Sequence, residues 1–182
     1  MNRRTWVVVA AILSVMALAY VGSPFWAARQ FKQAALSGDV DRLEAAVDFP
    51  SVRESLKSQL TIAMTKKMQS DPEMRSNPFA GLGMMIMPAM VGKMVDAYVT
   101  PDGMSAIMTS GKVRTAKTAE PVKADVDYDY SYRTLDRFAV TAKAADAKAD
   151  EVPRFVFERR GILTWKLIRI EIPAAAFADR IR

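Results

Sequence analysis

The stretch Thr5–Gly22, TWVVVAAILSVMALAYVG, contains no charged side chain, and Arg3 and Arg4 stand immediately before it. A bilayer core about 30 Å thick takes roughly 20 apolar residues of helix. A helix also satisfies its own backbone hydrogen bonds, so it can sit in lipid. We therefore read residues 1–22 as an N-terminal transmembrane anchor. Trp6 and Tyr20 lie near its two ends, where amphipathic aromatics settle at membrane interfaces. The two arginines favour a cytoplasmic N-terminus. That orientation predicts a single-pass protein of a bacterial inner membrane with its C-terminal domain in the periplasm. A cleaved signal peptide is the rival reading, because Ala17-Leu18-Ala19 has the small-x-small spacing of a cleavage site. Against it, the apolar run exceeds the usual 7–15 residues or so, and Ser23-Pro24-Phe25-Trp26 leads directly into a helical pattern. The arginine pair also begins a twin-arginine export motif, but the motif is incomplete, and two arginines before an apolar helix are ordinary topology signals.

The residues beyond the anchor are enough for one domain with a core of its own, over 23–182. The chain has no cysteine and no histidine. It therefore has no disulfide or thiolate nucleophile, and it lacks the commonest general base and the commonest transition-metal ligand. The formal net charge of +6 suits a neighbour with anionic headgroups. Lysines and arginines are scattered rather than clustered with aromatics, which argues against nucleic acid as a partner.

Helical periodicity occupies 23–111. Ser23 is placed to cap, and Pro24 to open, a helix whose apolar positions are Phe25, Ala28, Phe31, Ala35 and Leu36. Ser37-Gly38-Asp39 turns the chain into a second helix carrying Val40, Leu43, Ala46 and Val47. A third helix, about 51–69, starts either from a Ser51/Glu54 capping box or from Asp48 with Pro50 in the first turn. Its stripe is Val52, Leu56, Leu60, Ala63, Met64 and Met68. Asp71–Pro78 reads as a loop. The Met-rich segment Phe79–Val91 is too short and too interrupted by Gly81, Gly83 and Pro88 to cross a bilayer. It reads as a kinked, buried helix continuing to about Val99. Thr100-Pro101 then caps a short helix with Met104, Ile107 and Met108 inside, ended by Gly111.

The period changes after 113. Val126, Tyr128, Tyr130 and Tyr132 alternate with Asp125, Asp127, Asp129 and Ser131, a strand with one apolar and one acidic face. Further strands are expected at Arg137–Ala144, Arg154–Arg159 and Leu163–Ile172. Gly161 marks a hairpin turn, and a short terminal helix occupies 174–182. In the last strand Leu163, Trp165, Leu167 and Arg169 are expected to share a face. Helices first and a meander over 113–173 afterwards imply an α+β domain, with several helices on one face of an antiparallel sheet of about four strands. A helical hairpin followed by a curved meander is also loosely similar to cystatin and nuclear-transport-factor-two-like folds.

The chemistry legible in this pattern is sparse. Asp125, Asp127 and Asp129 form a carboxylate row, but no calcium-loop pattern follows. A solvated face paired with Arg137 or Lys143 accounts for them. Met84, Met85, Met87, Met90 and Met94 include soft ligands for copper(I), but no Cys or His assists them. No nucleotide loop or zinc motif is present, and Ser51, Ser55 and Ser58 have no activating base. Neither a metal nor a cofactor is expected, and no catalytic residues are assigned. The favoured expectation is a non-enzymatic domain that binds a partner protein or a lipid-like apolar ligand in a pocket lined by Met84, Met87, Met90, Phe155, Phe157 and Trp165. A lipid-facing Phe79–Val91 is a variant of that reading. The alternative is an enzyme restricted to Asp, Tyr, Lys and Arg chemistry at Asp125, Asp127, Tyr128, Tyr130 and Arg137.

Several stretches together resemble a known family. They are the N-terminal apolar helix, Ser23-Pro24-Phe25-Trp26, Ala35-Leu36-Ser37-Gly38-Asp39, Val47-Asp48-Phe49-Pro50-Ser51-Val52-Arg53-Glu54-Ser55-Leu56-Lys57-Ser58-Gln59-Leu60 and Thr100-Pro101-Asp102-Gly103. The family is the bacterial one called domain of unknown function 2939. The resemblance implies an envelope location and carries over no catalytic residue. Its most specific part is Val47–Leu60, with Asp48, Pro50, Arg53 and Glu54 as signature residues. The cap and Pro50 fix the helix start, Val52, Leu56 and Leu60 dock it, and Arg53 and Glu54 are expected to hold neighbouring loops or to meet a partner.

Overall fold

In the computed structural model, residues 2–72, 80–109, 126–144 and 152–173 are described. The elements are α1 (Arg3–Ser37), α2 (Val40–Ala46), α3 (Phe49–Ser70), α4 (Ala80–Tyr98), α5 (Pro101–Thr109), β1 (Val126–Thr134), β2 (Arg137–Ala144), β3 (Arg154–Arg159) and β4 (Trp165–Glu171). The strands form one antiparallel meander in the order β1-β2-β3-β4. The architecture is α+β. The terminal helix expected at 174–182, Asp125, Phe79 and most of the expected Asp71–Pro78 loop lie outside the described residues.

The largest departure from the sequence reading is in α1. Ser23 and Pro24 do not begin a helix. One helix of 35 residues runs from Arg3 through both of them to Ser37, about 50 Å at 1.5 Å per residue. Pro24 has no N–H for the carbonyl four residues earlier, Tyr20, and an interior proline ordinarily kinks or ends a helix there. Ser23 repairs that loss, because its hydroxyl donates to the Tyr20 carbonyl at 2.8 Å. Gly38, in the left-handed region at φ 69°, ends the helix by donating its N–H to the Ala34 carbonyl.

Only the second half of α1 is buried. Ala28, Phe31, Ala34 and Ala35 form one core with Leu43, Val47, Phe49, Val52, Leu56, Val91, Val95 and Met104 from the other helices. Phe138, Val140, Phe157, Trp165 and Leu167 supply the sheet side of the same core. Leu36, expected inside, is exposed. The side chains of Ile107 and Met108 are not among those described.

At the start of α3, Asp48 is the cap. Its carboxylate accepts from Ser51 N at 3.2 Å, and Pro50 occupies the first turn. The Ser51/Glu54 alternative is not used. Asp48 N also donates to the Leu167 carbonyl at 2.8 Å, and Val47 forms a parallel bridge with Leu167. Eleven residues on, the Gln59 side-chain amide behaves as a peptide group towards the same strand. It donates to the Ile170 carbonyl and accepts from Ile172 N, both at 2.9 Å. The α2–α3 junction and Gln59 thereby occupy the outer edge of β4, where unpaired strand groups invite association.

Between Val156 and Phe157 the β3–β4 register shifts by one residue: Val156 faces Arg169, whereas Phe157 faces Leu167. This bulge changes which β4 residues point inward. Trp165 and Leu167 are buried before it, and Ile170 and Ile172 pack on the core after it. Arg169 therefore does not share the inner face with Trp165 and Leu167, and its side chain pairs outward with Glu171 at 4.0 Å. The strand begins at Trp165, two residues later than the sequence suggests, and Leu163 is exposed in the loop.

The Gln59 contacts define a stability prediction. Removing both bonds with Gln59→Ala should cost about 1–2 kcal/mol, read as a lower unfolding midpoint by circular dichroism of the full chain in lipid nanodiscs. Phe157→Ala, which empties a fully buried site, should cost more, about 3–5 kcal/mol.

Candidate functional site

A cluster of aromatic and polar groups forms where α1 meets the sheet. Ser23, whose hydroxyl hydrogen goes to Tyr20, accepts a second hydrogen bond from the Trp165 indole N–H at 2.8 Å. Both residues are buried. Two residues earlier, the Tyr132 hydroxyl donates to the Val21 carbonyl. The Arg159 guanidinium lies over the rings of Tyr20 and Trp165, 3.7 and 4.3 Å from their centroids, a cation–π sandwich. Its side chain is only 7% exposed, and it donates to the carbonyls of Leu135 and Ile162. Phe25 packs edge-on against Phe138, 4.9 Å between centroids, and contacts Tyr130 and Tyr132. Among the described residues, no buried side-chain nitrogen or oxygen lacks a partner.

Burial raises the Tyr132 hydroxyl above its ordinary pKa of 10.0, opposed by the positive charge of Arg159 and reinforced by Tyr20. The raised value keeps the hydroxyl protonated and able to donate to Val21.

The sheet continues this contact along α1. Lys32 lies 4.0 Å over the Tyr128 ring, and Phe31 packs on Phe155 and Phe157. From Tyr20 to Phe31 the helix therefore runs from the end of the sheet holding the β1–β2 and β3–β4 turns towards the opposite end. Asp48, at the turn end, also receives Arg160 at 2.8 Å, and Arg160 in turn meets Glu158 at 3.2 Å. In the same signature stretch, Arg53 bonds back to the Phe49 carbonyl at 3.3 Å, and Glu54 is exposed. Helix initiation thus accounts for Asp48 and Pro50.

The residues expected to line an apolar pocket are separated by the fold. Phe157 and Trp165 belong to the packed core, with Phe155 half-buried against it. Met87 is half-buried on the outside of that core, and Met84 and Met90 are exposed. The expected buried helix is also exposed. Among the described side chains of α4 only Val91 and Val95 are buried, whereas Leu82, Met84, Met85, Ile86, Met90 and Met94 face solvent, Met85 at 80%. The reason is that α4 packs on α3 by one narrow stripe: Gly83 lies against Met68, Gly92 against Lys57, and Asp96 pairs with Lys57 at 2.8 Å. A distinct open depression of ≈ 490 Å³ is lined by Trp26, Arg29, Gln30, Gln33 and Arg42. It shares no residue with the expected pocket.

The candidate acid and base groups are likewise divided. Tyr128 and Tyr130 are on the α1 face of β1, so strand alternation puts Asp127 and Asp129 on the other. Arg137 pairs with Glu158 at 3.4 Å rather than with that aspartate row. Among the described residues, no three carboxylates cluster as a metal site. On the outer face, Glu171 collects Arg154 and Arg133 at 3.3 and 3.5 Å as well as Arg169. This cluster is not legible in the sequence, because it depends on the bulge that turns Arg169 outward. The Ser23–Trp165 bond was equally illegible: the two residues lie 142 positions apart, and Ser-Pro reads locally as a helix start.

Among the described residues, α1 is the one helix long and apolar enough to cross a membrane. A family model described as Protein of unknown function (DUF2939) matches residues 13–107, more than half of the 182 residues. No curated protein and no solved structure matches the chain.

Two predictions follow from the α1 contact. Ser23→Ala leaves the Trp165 indole and the Tyr20 carbonyl short of a partner and should cost about 1–3 kcal/mol. Combined with Trp165→Phe, it should show a coupling of about 0.5 kcal/mol or more in a double-mutant cycle read from urea titrations in nanodiscs. Because the folded-state pKa of Tyr132 is raised, its contribution is complete below pH 10.0 and is lost as pH climbs through the raised value. The stability of the unmodified chain should therefore fall more steeply above pH 10.0 than that of Tyr132→Phe.

Proposed function

The chain belongs to the DUF2939 family, and on that premise we propose that it is a single-pass protein of the bacterial inner membrane whose periplasmic domain is a non-enzymatic binding module for a partner protein. The observation that carries this reading is the exposed apolar face of α4 at the end of the domain remote from the anchor. α3 runs alongside β4, with Asp48 level with Leu167 and Gln59 level with Ile170 and Ile172. It then continues past the sheet to Ser70. α4 runs antiparallel to it, so Gly83 meets Met68 beyond the sheet and Asp96 meets Lys57 nearer the core. The exposed Leu82, Met85, Ile86 and Met90 therefore lie at the end opposite the apolar half of α1. This placement argues against contact between Phe79–Val91 and the bilayer that α1 would cross.

Flexible methionines suit a face that must fit a partner's side chains, and contiguous exposed apolar patches of this kind mark interaction sites. The absence of a shared pocket among Met84, Phe157 and Trp165 favours a protein partner over an enclosed apolar ligand. The division of Asp127, Tyr128, Tyr130 and Arg137 between two faces and an ion pair supports a non-enzymatic reading. Arg3 and Arg4 support the cytoplasmic placement of the N-terminus.

The test is in-cell photo-crosslinking of the intact protein with a reactive side chain at Met85 or, as control, at Glu44 on α2. A discrete adduct at Met85, absent at Glu44 and abolished by Ile86→Glu, is expected. Equal or no adducts at both positions would overturn the reading. Protease digestion of spheroplasts should remove the domain, whereas digestion only after lysis would reverse the topology.

A further inference from the structure

The two turns at the end of the sheet nearest Tyr20 carry exposed apolar side chains that the core does not use. Leu135 in the β1–β2 turn is 75% exposed, Ile162 in the β3–β4 loop 77%, and Leu163 beside it 49%. A turn at this position ordinarily carries polar residues, and residues 160–164 have only Arg160 and Thr164 as polar members. The two tips are held together. Arg159 N donates to the Asp136 carbonyl at 3.0 Å, Arg160 N to the Thr164 carbonyl at 2.9 Å, and the Arg159 guanidinium bonds the Leu135 and Ile162 carbonyls. That same guanidinium rests on the ring of Tyr20. The tips are thus fixed at the level of the last aromatic of the apolar run, beside the point where α1 enters the domain. Because α1 is unbroken from Arg3 to Ser37, no linker lets the domain move away from that level.

We propose that these tips are a second lipid-contact site: Leu135, Ile162 and Leu163 enter the headgroup region of the bilayer that α1 crosses, and Arg137 and Arg160 meet lipid phosphates there. The proposal rests on α1 as a membrane anchor. The occupant is an anionic phospholipid surface, on two grounds. Covalent continuity with the anchor brings the tips to the interface. Arg137 and Arg160, with side chains 57% and 44% exposed, flank them; both reach Glu158, at 3.4 and 3.2 Å, and Arg160 also pairs with Asp48 at 2.8 Å. Arginine forms bidentate bonds to phosphate, and a surface of anionic lipid attracts such charges within a Debye length of about 8 Å. Asp136, 69% exposed beside Leu135, is the acidic group at the tips and is paired with Arg159 at 3.4 Å. The exposed apolar side chains with Arg137 and Arg160 beside them match both layers of the interface. The contact fixes the domain upright and directs α4 away from the membrane.

The chain contains no cysteine, so single cysteines report their own positions. Full-length Leu135→Cys, Ile162→Cys, Ser14→Cys and Met85→Cys are labelled with an environment-sensitive fluorophore. They are reconstituted in vesicles of phosphatidylethanolamine and phosphatidylglycerol, with or without a lipid carrying a shallow quencher. Labels at 135 and 162 should be blue-shifted and quenched by the shallow lipid several-fold more than the label at 85, while 14 reports the bilayer interior. The proposal is overturned if 135 and 162 behave like 85 while 14 is shielded from water. In that outcome the anchor reading stands. If 14 is also water-exposed, the anchor reading fails and this proposal falls with it. Circular dichroism of each labelled protein confirms the fold, and quenching at a second tip position, Leu163→Cys, decides the matter where one variant does not fold.

Discussion

The hydrogen bond from the Trp165 indole to the Ser23 hydroxyl joins the two halves of this protein. Ser23 lies in the middle of a 35-residue helix, immediately before a proline that removes a helical donor. The hydroxyl that compensates for the missing donor is the same one that receives the sheet. Without Ser23, Pro24 would be a natural hinge, since the ladder is interrupted there. With it, the orphaned Tyr20 carbonyl is satisfied, the Val21 carbonyl is met by Tyr132, and Arg159 presses on the Tyr20 ring. A weak point in the backbone thus becomes the best-braced point of the helix.

That bracing depends on the sheet presenting the right side chains at the right level. Trp165 opens β4 facing inward. Strict alternation would then put Arg169 inside, where an unpaired guanidinium is costly. The bulge between Val156 and Phe157 avoids this by inserting one residue, so Ile170 and Ile172 turn inward and Arg169 outward. The same shift leaves Glu171 outside, where Arg133, Arg154 and Arg169 gather. The far edge of β4 is meanwhile held by Asp48 N and the Gln59 amide. α3 therefore follows the strand almost in parallel, and its projection beyond the sheet is a consequence.

The local features were legible in the sequence wherever one residue type has one dominant use. Gly38 ends α1 and the Tyr/Asp alternation marks β1, whereas at the start of α3 Asp48 with Pro50 competed with a Ser51/Glu54 capping box and the structure decides for Asp48. The order of helices followed by a meander was readable from the change in period. Long-range effects were not. Ser23-Pro24 is a capping signal unless an indole 142 positions away uses the hydroxyl. Thirteen apolar letters in Phe79–Val91 look like core unless the partner surface is known to be narrow. Val91 and Val95 fill that surface, and the methionines do not reach it. Composition records how apolar a segment is; it does not record how much apolar surface its neighbours offer.

The exposed methionines and the rigid α1 are two sides of one constraint. A domain free on a flexible linker could bury an apolar helix face against the bilayer or against another copy in many orientations. Here the helix that would enter the membrane is also a core helix, so the domain's orientation follows from the direction of α1. With Tyr20 level with the β1–β2 and β3–β4 turns, α3 and α4 extend the other way, and membrane burial of Leu82, Met85, Ile86 and Met90 would require breaking the Ser23–Trp165 joint. That joint couples three interactions: the buried indole hydrogen bond and the Arg159 sandwich, each about 1 kcal/mol or more when desolvated, and the more exposed Tyr132 donor. Were α1 to cross a bilayer, an apolar face held off by such a brace would be open only to something that approaches from the aqueous side.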